Sequence, residues 1–147
     1  MDTAAPLTLR DVADLLFSTR ERIDFYWNFY IISVIAVIGW LVTVKKTLTV
    51  PIKVLVSVAF VIAATTNLIG LYSSYTLAEA LRSDLLRLAA TSPLTETRLM
   101  LEQHSYLTHR TASLLIHLVI GVAVLLTVWF GRLIPPDAGA EDAGVSG

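Results

Sequence analysis

With 147 residues, 55% of them hydrophobic, a formal net charge of −1 and a mean hydropathy of +0.69, the chain has room for one domain and too little polar surface for an ordinary soluble one. Its 11 basic and 12 acidic residues form no dense patch, which excludes an electrostatic footprint for nucleic acid. The absence of cysteine removes disulfides, Fe–S clusters and thiol chemistry, and says nothing of the redox compartment.

Three stretches carry no formally charged side chain: residues 25–44, 54–78 and 111–131. Each has about 20 residues or more, enough for a helix to cross the ~30 Å hydrocarbon core at about 1.5 Å per residue. They predict three transmembrane spans, over about 25–44, 54–75 and 111–131. Residues 1–24 alternate charges without an apolar run, so no cleaved leader is expected.

The helices are expected to outrun the spans. Thr8 followed by Asp11 has the spacing of a capping box, and Leu9, Val12, Leu16, Ile23 and Tyr26 then recur at heptad-like intervals, so helix 1 should run from about Leu9 to Val44. A tight hairpin, Lys45 to Pro51, leads into helix 2 with Pro51 in its first turn. Along helix 2 one stripe passes through Ala63, Asn67, Gly70, Ser74, Leu77, Leu81, Leu85 and Leu88. Its small members suit close packing in lipid, where apolar burial drives little association. Its leucines suit water, where hiding each is worth roughly 1.5–3 kcal/mol. The stripe reads as one packing seam crossing the membrane boundary. Ser92-Pro93 supplies an N-cap and an N1 proline for helix 3, expected from about Pro93 to Leu133, and Pro135-Pro136 stops it.

These boundaries predict an all-α membrane protein: three long antiparallel helices in a transmembrane bundle, with a three-helix extramembrane extension on one side. Residues 1–136 form the domain, 8–24 and 76–110 the stalk, and 137–147, rich in Gly, Ala and Asp, a disordered tail. The stalk should project roughly 25 Å. Alternatively, residues 8–24 lie flat on the membrane through Leu15, Leu16 and Phe17. Arg10, Arg20, Arg22, Arg82, Arg87, Arg98 and Arg110 lie on the stalk side, against Lys45, Lys46, Lys53 and Arg132 opposite. The positive-inside rule then favours a cytoplasmic N-terminus and stalk, in a cytoplasmic (inner) membrane. Tyr26, Trp27, Tyr30, Tyr72 and Tyr75 at one interface, with Trp40 and Trp129 at the other, fit aromatic belts.

Candidates for chemistry are few. His104 and His109 point about 140° apart on a helix and cannot share a metal, and His117 stands alone among the spans, so neither metal nor cofactor is expected. The chain contains no nucleophile elbow, zinc-protease helix or phosphate-binding loop, and no enzyme activity is expected. Asp11, Asp14, Glu79, Asp84, Glu96 and Glu102 read as a solvated face, with Asp84 and Arg87 as an i,i+3 pair. More informative is a polar layer: Ser33, Asn67 and His117 fall at similar depth, roughly 8–12 Å inside the boundary, with Thr65 and Thr66 beside Asn67. Such residues either bond helices together or line a wet path. The expected role is a structural scaffold or accessory subunit in the lipid bilayer, bound to copies of itself or to another membrane protein. The alternative is a subunit of a homo-oligomeric pore.

Overall fold

The computed structural model describes residues 8–44, 48–90, 95–103 and 105–131. Among them are four helices and no strand: α1 (Leu9–Thr43), α2 (Val50–Ala89), α3 (Thr95–Gln103) and α4 (Tyr106–Phe130). α1, α2 and α4 are each long and apolar enough to cross a membrane, so the all-helical, three-span organisation read from the sequence stands. Lys45, Lys46 and Thr47 of the hairpin, Ser92-Pro93, His104, Arg132, Pro135-Pro136 and residues 137–147 lie outside the described residues.

Local chemistry sets the α1 start. Thr8 Oγ1 accepts from the Asp11 N–H (3.3 Å), and the Asp11 carboxylate accepts from both the Thr8 N–H (2.9 Å) and hydroxyl (2.7 Å). The hydroxyl bond first, then the backbone bond, holds the Asp11 carboxyl below its ordinary value. α2 starts with Pro51 in its first turn, where a missing N–H costs nothing.

α1 and α2 are antiparallel, and α4 returns antiparallel to α2. Val12, Leu16 and Ile23 of α1 pack with Leu71, Tyr75, Ala78, Leu81 and Leu85 of α2 in one core. Tyr30 and Val34 pack with Phe60 and Val124 in a second, and Trp27 adjoins both. The buried positions Val12, Leu16, Thr19, Ile23 and Tyr30 of α1 keep a heptad spacing, the pattern of left-handed helix packing, with Val34 one residue beyond the repeat. At the hairpin end, Lys53 Nζ donates to the Trp129 carbonyl (2.9 Å), and Trp129 Nε1 donates to Ser57 Oγ (3.1 Å).

The α2 seam differs from the expected stripe at two positions. Asn67, Ser74, Leu81 and Leu85 are buried and Ala63 and Gly70 half-buried, whereas Leu77 is 44% and Leu88 38% exposed. Ala78 and Ala89 are buried in their place. The helix repeat of 3.6 lets the buried line drift by a residue, and an alanine admits α1 more closely than a leucine.

A larger correction concerns the third helix. One helix was expected from about Pro93 to Leu133; instead α3 and α4 are separate, and Gly131 beyond α4 is extended. Ser105 between them is extended and caps α4 by accepting from the Leu107 N–H (3.3 Å). A break exposes backbone groups at two helix ends, and α2 supplies partners for both. Arg82 Nε and Nη2 donate to the last carbonyls of α3, at Leu101 (2.6 Å) and Glu102 (3.1 Å). Glu79 Oε2 accepts from the Tyr106 N–H at the start of α4 (2.9 Å), while its Oε1 pairs with Arg82 (2.8 Å). The two side chains are only 18% and 11% exposed, so Glu79 is no part of a solvated face. Asp84 and Arg87 do form the expected surface pair, and Arg98 pairs with Glu102.

Candidate functional site

Where the two cores meet, polar and aromatic side chains from α1, α2 and α4 converge inside the bundle. Heptad spacing brings Tyr26, Trp27 and Tyr30 of α1 to the inner face. Tyr26 lies across α2 at Gly70: a Cβ there would stand 2.6 Å from Tyr26 Cε1, so only glycine leaves room for the ring. Asn67, less than one turn away, is 3% exposed, and its Nδ2 donates to the Tyr26 carbonyl (2.9 Å). One residue of α1 is thus seated on α2 by both its backbone and its ring.

α4 contributes His117, also 3% exposed. Its imidazole stacks on the Tyr30 ring, with centroids 3.4 Å apart and planes inclined by 20°. The Trp27 indole closes on it edge-on at 5.7 Å. The Tyr30 hydroxyl donates to the His117 backbone carbonyl (2.7 Å), joining α1 to α4. Further along, Tyr75 Oη and Ser113 Oγ bond at 2.8 Å, joining α2 to α4. Three side-chain bonds therefore tie all three long helices, each in surroundings where an unmade bond is costly.

Of the predicted layer, Asn67 and His117 share this interior and Ser33 does not join them. Ser33 Oγ donates to the Phe29 carbonyl of its own helix (2.8 Å), about 60° around α1 from Tyr30. A serine can satisfy itself within one turn, so its presence at the right depth does not make it a link. The α1 member of the layer is Tyr30. Tyr30 and Tyr75, expected in an aromatic belt, instead point inward; the seven-residue step from Ile23 to Tyr30 was the available signal.

Among the described residues no three of His, Asp and Glu converge as a metal group. His109 lies elsewhere, bonded through Nδ1 to the Ser105 carbonyl (2.9 Å). The buried Asn67 Oδ1 and both ring nitrogens of His117 have no hydrogen-bond partner among the described residues. What the arrangement does chemically is fix helix register, by stacking and by bonds to backbone carbonyls. The sequence matches no protein-family model, and neither a curated protein nor a solved structure matches it.

Proposed function

We propose that this chain is a membrane-embedded helical scaffold, an accessory subunit rather than a catalyst, that associates with a second copy of itself through the outer face of α1. α1 and α2 are about 50 and 60 Å long at 1.5 Å per residue, against a ~30 Å hydrocarbon core. The charged residues of α1 are confined to 10–24, those of α2 beyond the hairpin to 79–87, and Arg110 of α4 stands over Tyr72, which supports a membrane boundary near Phe25, Tyr72 and Arg110 with a stalk in water beyond it. One observation carries the association: Phe17, 65% exposed, stands on the charged stalk on the side of α1 turned away from α2. Helical periodicity aligns it with Asn28, Ile35 and Gly39. Gly39 has open space where a Cβ would sit, which permits close approach of another backbone.

A second copy is the partner we favour because both charge signs alternate around Phe17, at Arg10, Asp14, Arg20 and Glu21, a face that is self-complementary across a two-fold axis. The alternative, a homo-oligomeric pore, would draw on the polar layer, and Asn67 and His117 both turn into the bundle of a single chain. The test is the mass of the full-length protein in nanodiscs. A dimer is expected, and Phe17→Ser should weaken it at least about tenfold, which corresponds to about 1.4 kcal/mol. A monomer at every concentration, or an F17S dimer as tight as wild type, would overturn the reading.

A further inference from the structure

The seam between α2 and α4 is not closed along its whole length. On the lipid side it forms a groove of about 160 Å³, whose walls include Ala64, Thr65, Leu68, His117, Gly121 and Leu125. Ala64 and Gly121 add little bulk to its floor, where a Cβ on Gly121 would already stand 3.4 Å from Tyr30 Oη. Toward the stalk, Arg110 heads the same seam. Its guanidinium stands over the Tyr72 ring, 5.0 Å from the centroid, with Thr76 Oγ1 3.5 Å away. Periodicity places Tyr72 on the same face of α2 as Thr65, and Arg110 on the same face of α4 as His117 and Gly121.

Arg10, Arg82, Arg87 and Arg98 each pair with a carboxylate, whereas none of the described carboxylates pairs with Arg110. Glu79, one turn beyond Thr76, is already held by Arg82 and by the Tyr106 N–H. An arginine fixed over an aromatic ring at a membrane boundary keeps N–H donors free, and these match a phosphate in geometry and charge.

We propose that this seam binds one anionic phospholipid from the stalk-side leaflet, its phosphate on Arg110 beside Tyr72 and one acyl chain along the α2–α4 groove. His117 and Gly121 lie about 10 and 16 Å below Arg110 along α4. The chains of one leaflet extend about 15 Å, half the ~30 Å core, so a chain starting at Arg110 ends in the groove. A second copy is already assigned to the outer face of α1, on the opposite side of the molecule from the seam residues of α2 and α4, and a neutral lipid would leave the guanidinium without net compensation. Charge and shape together select the anionic lipid.

The inference rests on the membrane boundary proposed above, and one experiment separates the two. The full-length protein is placed in nanodiscs of equal parts phosphatidylcholine and phosphatidylglycerol, released, and weighed by native mass spectrometry. Wild type should retain one phosphatidylglycerol in preference to phosphatidylcholine. Arg110→Gln should lower that preference at least about tenfold. Thr65→Phe, which fills the groove from its exposed side, should lower retention of both lipids. Arg22→Gln removes the same charge from an exposed site on α1 and should change neither. Equal retention by wild type and R110Q, an unaffected T65F, or an R22Q loss as large as that of R110Q would overturn the proposal. The same spectra count protomers: selective lipid on a monomer strikes only the scaffold reading, and a dimer without lipid selectivity strikes only this one.

Discussion

Tyr26 is the residue on which the α1–α2 contact is set, because its carbonyl receives Asn67 and its ring occupies the space that Gly70 leaves. Gly70→Ala puts a methyl inside the ring, and the ring must move away from α2. Such overpacking costs about 1–3 kcal/mol. We expect G70A to lower stability by that amount in a denaturant titration of the protein in bicelles. Combining it with Tyr26→Ala should be much less harmful than the sum of the single changes. A cycle that is simply additive would show that Gly70 and Tyr26 do not share this space. Asn67 illustrates the other half of the seat, in which an amide donor in an apolar interior is compensated by a backbone carbonyl of the neighbouring helix.

Between helices, the Glu79–Arg82 pair of α2 governs where the chain turns from α3 into α4. Arg82→Ala would remove two donors from the carbonyls of α3 and leave Glu79 partly buried without its cation, a loss of about 1.5–3 kcal/mol by analogy with hydrogen bonds to charged groups. Amide exchange should accelerate in α3 and the first turn of α4 while the α1–α2 contact between 12 and 34 stays protected. Uniform acceleration along the chain, or none, would show that the pair does not govern this break. The same pair marks the limit of what the sequence discloses. The Thr8 and Asp11 cap was legible because both partners lie within one turn. The three spans were legible because length and lack of charge settle them without reference to neighbours. The break at Ser105 was not, although Ser105 is itself an N-cap residue, because the side chains that make the break tolerable sit on another helix. For the same reason Asn67 and His117 could be placed by depth alone, whereas the exchange of Ser33 for Tyr30 depends on the rotation of α1 against α4, a non-local quantity. Ala78 in place of Leu77 shows the other ambiguity: with 3.6 residues per turn, adjacent positions compete for the seam and close approach decides.

For the molecule as a whole, we propose from the excess of arginines on the stalk side that the N-terminus and stalk are cytoplasmic. A cysteine replacing Thr47 should then react with an impermeant thiol reagent added to intact cells, and one replacing Thr95 should react only after lysis. The opposite pattern would invert the orientation and leave the three-span architecture as it is. One further consequence comes from the way α2 holds the two ends of α4. Glu79 brings a carboxylate to the amino end of α4, and Lys53 brings an ammonium to its carboxyl end. The aligned peptide dipoles of a helix make its amino end partly positive and its carboxyl end partly negative, so both charges of α2 oppose like with unlike. Turning α4 end for end would set a carboxylate against exposed carbonyls and an ammonium against exposed N–H groups. α2 therefore carries in its own charges a polarity preference for α4, worth about 0.3–1 kcal/mol at each end, that adds to the side-chain bonds in the apolar stretch between.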